Sequence, residues 1–145
     1  MTNEAGRTQP RTVVVGIDGS ECSTAALEWA ASYAQATGTA VRAVAVWRDP
    51  SASGFDVGGG AWNREGACRK RAEKQAAKVA TDHPDLEIDL DVVYGEAAQV
   101  LVDASENAAL LVVGTRGHGS FTDLILGSTS SRCVHAAHCP VVVYR

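Results

Sequence analysis

From Gly114 to Ser131 the chain reads GTRGHGSFTDLILGSTSS, with four glycines and seven Ser or Thr hydroxyls in eighteen residues. This stretch follows the apolar run 110–113. Gly114, Gly117 and Gly127 are separated by two and then nine residues, and Gly127 precedes Ser128, Thr129 and Ser130. Glycine tolerates positive φ and close backbone approach, so successive N–H groups can face one anion, with the hydroxyls as further donors. A helix starting near Ser128 would add its own free N–H groups and the positive end of its dipole. The pattern therefore suits a bound phosphate group, although the same glycines also suit a turn and a helix cap with nothing bound. It is neither GxxxxGK[ST] nor GxGxxG, which disfavours the P-loop and dinucleotide classes.

Other reactive residues point less clearly. Ser128 and His118 invite a nucleophile-and-base reading, but no third orienting group and no GxSxG elbow accompany them, and a helix cap explains Ser128 better. Cys133, His135, His138 and Cys139 crowd together, yet Pro140 must end the helix beside Cys139, so four ligands would hardly converge on zinc. Cys22 and Cys68 complete a set of four cysteines without a CxxC pair, and reduced thiols are expected. Phosphoryl transfer asks for a cationic clamp, a metal and a positioned nucleophile. No lysine follows Lys78, and neither Asp18 nor Asp123, the acids available to Mg²⁺, has a second acid beside it. Slow hydrolysis is conceivable, whereas efficient turnover is not suggested.

The elements that must position this loop are legible in the hydropathy pattern. Residues 1–11 are polar and aperiodic, as in a mobile arm, and residues 12–145 suffice for a single domain. The β-branched run 12–17 reads as a strand buried on both faces, ending at Asp18-Gly19-Ser20. Leu27, Ala30, Ala31 and Ala34 then recur at helical spacing before Gly38, and a second strand spans 40–47. SASGFDVGGG reads as a flexible loop, and the charged, alanine-rich segment 64–80 as a surface helix. Leu86, Ile88, Leu90 and Val92 alternate with acids, which predicts an edge strand with one wet face. A helix over 97–107, a strand over 110–113, a helix over 128–137 and a last strand over 140–144 complete the chain. Strands alternating with helices predict an open parallel α/β sheet of five strands with helices on both faces, whose ligand sits at the carboxyl ends where strand order reverses.

Composition narrows the function. With 46% hydrophobic and 21% charged residues the chain is an ordinary globular one, and its net charge of −4 argues against a general nucleic-acid or membrane-surface role. No apolar stretch has membrane-spanning length and MTNEAGRTQP lacks a secretory h-region, so a cytoplasmic location is the expectation.

The motif GxxG, nine residues, then G[ST], together with GIDGS after the first strand and the closing CPVVVYR, resembles the ATP-binding branch of the universal stress protein family across residues 12–145. The resemblance implies strand order 3-2-1-4-5, a Rossmann-like fold of the adenine nucleotide alpha hydrolase type, and ATP with Mg²⁺ between the first and fourth strands. It assigns Gly16, Ile17 and Asp18 to the adenosine side, with Asp18 also available to Mg²⁺, and Val46 to the neighbourhood of adenine. Val113 and Gly114 fall near the ribose, Gly117, His118 and Gly119 in the phosphate loop, and Gly127, Ser128, Thr129 and Ser130 in the triphosphate cradle. Arg116, a candidate phosphate charge partner, and His118 could offset phosphate charge, and both equally suit the role of solvated loop residues. The family often has Asp-Leu-Ile-Val before this loop. Here the residues are Ala109-Leu110-Leu111-Val112, a change away from the ligand.

The resemblance further implies a stress-response role and a homodimer through Val141, Val142 and Val143, an apolar strand expected at a sheet edge. The first expectation is an ATP-binding regulatory module with no catalytic residue, whose occupancy biases a partner interaction. A ligand-free dimeric interaction module is the alternative, ahead of a slow ATP hydrolase or an adenylating enzyme, for which the chain leaves little room.

Overall fold

The β-branched run at the start forms β1 (Thr12–Ile17), with Val13, Val14 and Val15 all buried. The structure, a computed structural model, describes residues 12–48, 61–115 and 126–145. The expected N-terminal arm and the SASGFDVGGG loop lie outside the described residues. After β1, Ser20 caps α1 (Glu21–Thr37) by accepting from the Ser23 N–H, and Gly38 ends it at φ 70°, a left-handed conformation that favours glycine. β2 (Ala40–Trp47) and α2 (Ala61–Asp82) follow, then β3 (Ile88–Tyr94), α3 (Ala97–Ala104) and a 3₁₀ turn (Ser105–Asn107). β4 (Leu110–Gly114), α4 (Ser128–Ala136) and β5 (Val141–Tyr144) complete the order.

All five strands are parallel in the order β3-β2-β1-β4-β5, the expected doubly wound arrangement. Period-two alternation sorts their side chains into two cores. Val13, Val15, Val41, Ala43, Leu110 and Val112 pack with Ala26, Leu27, Ala30 and Ala31 of α1. On the other face Val14, Val44, Leu111 and Val113 pack with Leu101 of α3 and Cys133 of α4. β3 is an edge strand, as its alternating acids predict. Ile88, Leu90 and Val92 join the first core, while Asp91 bonds to Arg42 of β2 on the other face.

Some boundaries differ from the periodicity for local reasons. The helix expected over 97–107 tightens into a 3₁₀ turn at Ser105, whose buried hydroxyl donates to Val102 O (2.6 Å) and accepts from His138 N–H (2.9 Å). The strand expected from Leu86 starts at Ile88 because the Leu86 N–H is held by His83 O in the preceding turn.

Leu111, fully buried at the centre of the second core, is the most demanding test of this packing. Leu111→Ala should lower the unfolding free energy by about 2–5 kcal/mol, read as a shift of the urea midpoint at unchanged m-value.

Candidate functional site

The sheet opens a crevice where its strand order reverses. β1 pairs with β2 to its end, through Ile17 and Ala45, and β4 pairs with β5 to its end, through Gly114 and Tyr144. Between β1 and β4, however, the pairing runs only from Val13–Leu110 to Val15–Val112. Gly16, Ile17 and Asp18 thus part from Val113 and Gly114, and a cleft forms at the carboxyl ends of the two strands.

Seven of the residues singled out in the sequence line this cleft: Gly16, Ile17, Asp18, Val46, Val113, Gly114 and Thr129. The structure adds Ser23, Val44, Ala97 and Leu101. Val44 was within reach of sequence reasoning, since it lies two residues before Val46 and so shares its face. Leu101 was also within reach, one helical turn after Ala97. Arg116, Gly117, His118 and Gly119 lie outside the described residues, as does Asp123.

The glycines at the cleft have packing reasons of their own. A Cβ on Gly114 would stand 2.7 Å from Cys22 Sγ, and one on Gly16 would stand 2.8 Å from a Leu101 methyl. Gly114 therefore lets the first turn of α1 rest against β4, and Gly16 lets α3 rest against β1. Such close approaches place the starts of both helices beside the cleft.

Electrostatic differences among the helix starts are informative. α1 is capped by Ser20, and α3 by Glu96, whose carboxylate accepts from Ala98 N–H and Gln99 N–H. α4 begins at Gly127 with no side-chain cap among the described residues, and Thr129 of its first turn lines the cleft. Its leading N–H groups and positive dipole end consequently suit an anion. Ser128 is exposed at this start. Ser130 differs from the expectation of a cradle hydroxyl, because its buried Oγ bonds to Gly127 O (3.0 Å), with Thr115 O at 3.4 Å.

At the opposite side, Asp18 is exposed and its Oδ1 accepts from Ser20 N–H at 2.9 Å. Asp18 is the cleft's charged side chain among the described residues. No group of three His, Cys, Asp or Glu side chains suited to a metal ion occurs among the described residues. Cys133 is fully buried, and desolvation pushes its thiol up to about 11.

A sequence model of the universal stress protein family matches residues 10–145. The chain belongs to this family. This universal stress protein chain is 34% identical over 144 residues to universal stress protein Rv2624c of Mycobacterium tuberculosis, an alignment covering 97% of the chain and 51% of that relative. The chain thus spans about half the length of the curated relatives it matches. Among solved structures, a universal stress protein in complex with cAMP superposes with a TM-score of 0.73 at 22% identity, covering 93% of this chain and 97% of that one. The universal stress protein of Archaeoglobus fulgidus in complex with dAMP gives 0.69 at 18% identity, covering 93% and 98%. Both share the fold.

One ion pair ties the start of α3 to the middle of α4. Glu96 at the cap of α3 accepts from Arg132 of α4 at 2.6 Å. Its carboxyl is lowered from 4.5: although desolvation opposes the charge, the hydrogen bonds from Arg132, Gln99 and Ala98 and the guanidinium charge outweigh it. Because the folded carboxyl binds its proton less readily than the unfolded one, its stabilisation is full above about pH 4.5 and is lost as pH falls through the folded value. The urea midpoint of wild type should accordingly exceed that of Glu96→Gln at pH 6, and the gap should close on acidification towards pH 3.

Proposed function

We propose that the cleft binds an adenine nucleotide, ATP with Mg²⁺, and that occupancy regulates a partner interaction. The observation that carries this reading is the combination within one cleft of an apolar wall, an exposed carboxylate and an uncapped helix start. Val44, Val46 and Leu101 give a flat base an apolar surface. Asp18 is an acceptor for ribose hydroxyls. The start of α4 with Gly127, Ser128 and Thr129 gives the phosphates backbone N–H donors. That two structural relatives form complexes with cAMP and dAMP supports a nucleotide as the ligand.

Mg²⁺ enters this reading with the phosphates. Such an ion keeps several waters and is held chiefly by the phosphate oxygens, which leaves Asp18 to the nucleoside side. Bound ATP stabilises the conformation it fits, by about 2.7 kcal/mol at a hundredfold excess over Kd, which is enough to bias a partner equilibrium. Regulation in the cytoplasm, as part of a stress response, is the role that this coupling serves best.

A second reading, a dimeric interaction module, draws on β5. It forms one edge of the sheet, and Val141, Val142 and Val143 are half-buried there. Pairing with the same strand of a second copy would satisfy its outer backbone groups. The two readings are compatible, with a dimer as the unit that ATP regulates.

Equilibrium dialysis with labelled ATP should show saturable binding at or below millimolar concentration. Val46→Trp, which fills the apolar end of the cleft, should weaken it by at least about tenfold while the protein stays folded. Absence of binding by wild type at millimolar ATP overturns the nucleotide reading. A dimer mass that persists without nucleotide would then leave the interaction module standing.

A further inference from the structure

α2 is a charged surface helix, yet Gln75 within it is only 6% exposed. Its amide reaches across to the turn that follows β1. Oε1 accepts from Gly19 N–H at 3.0 Å, while Nε2 donates to Ser23 Oγ and Thr24 Oγ1, both at 2.7 Å, and lies 3.3 Å from Ser20 O. The amide orientation is fixed by these partners, since only an oxygen can receive the Gly19 N–H. Both hydroxyls in turn donate to Ser20 O, at 3.1 and 3.0 Å, and Ser23 Oγ accepts from Asp18 N–H at 3.2 Å.

One buried amide therefore grips the short turn at both ends. Gly19 sits at φ 85°, a conformation that L side chains rarely adopt, and a Cβ there would also meet Arg71 at 2.5 Å. The Asp18 carboxylate is aligned by the N–H of Ser20, whose carbonyl belongs to the same network. Nothing on β1 or α1 alone supplies an acceptor for Gly19 N–H; it comes from 56 residues further along the chain.

We infer that Gln75 is a positioning residue for the cleft: it holds the Asp18-Gly19-Ser20 turn in the conformation that presents Asp18 to a nucleoside, and so makes ligand affinity depend on the seating of α2. The ligand in this statement rests on the nucleotide reading above. A shift of α2 would release Gly19 N–H and loosen Asp18, giving α2 a route to regulate occupancy.

Gln75→Met keeps the length and apolar bulk of the side chain and removes all its amide bonds. In the ligand-free protein, hydrogen exchange at Gly19 and Ser20 should accelerate by at least about tenfold, while the strand amides of β1 remain protected. The Kd for ATP and for adenosine should rise by a common factor of at least about fivefold, since the loss falls on the nucleoside end. Thr24→Val, which deletes one hydroxyl of the network, should move both readouts the same way by less, and it decides the matter should Gln75→Met not fold. Ser105→Ala controls for general destabilisation, because that buried hydroxyl serves Val102 and His138 at the far end of α3. It should leave Gly19 exchange and both affinities within about twofold of wild type. Unchanged exchange and affinity in Gln75→Met and Thr24→Val, or an equal loss in Ser105→Ala, overturns the inference. Should wild type bind neither ATP nor adenosine, the nucleotide reading falls, and Gly19 exchange alone still decides whether Gln75 holds the turn.

Discussion

Beyond the Val15–Val112 pair, β1 keeps its hydrogen bonds to β2 and β4 keeps its own to β5, so the two central strands part company. The reversal of strand order at this seam requires the separation: α1 and α2 cover one face, α3 and α4 the other, and among the described residues no helix bridges the gap between the strand ends. The turn after β1 and the starts of α3 and α4 consequently converge on the same opening. Every feature of the cleft is a consequence of this separation.

Close packing then decides which residue types can stand there. Gly114 and Gly16 invite a ligand-centred explanation, but their missing Cβ atoms make room first for Cys22 and Leu101. The two roles support each other, because helices that approach the strands this closely bring their first turns to the cleft. Ser130 shows the opposite relation. Its hydroxyl, expected to face an anion, is instead used to fix Gly127 and Thr115. By fixing the start of α4 it orients the backbone N–H groups that remain available.

Polar side chains lock these pieces together from a distance. Glu96 both caps α3 and pairs with Arg132 of α4, while Gln75 joins α2 to the turn after β1. Each links elements that are remote in sequence and adjacent in the fold. Their burial or charge makes their loss expensive, since a partner left behind would be unsatisfied.

The sequence by itself determined the strand and helix alternation, the edge position of the acid-striped β3, and the convergence of Asp18 with Gly114 and Thr129. Hydropathy period and glycine chemistry are local properties, and they report local structure faithfully. Family resemblance added the strand order, which short-range patterns do not encode. Only the tertiary structure decided which way each side chain is used. Gln75 looks like any polar residue of a charged helix until the turn it serves is placed beside it, and Ser130 looks like its neighbours until its hydroxyl is seen to face inward. Both depend on contacts between residues far apart in the chain, where neither periodicity nor motif spacing carries information.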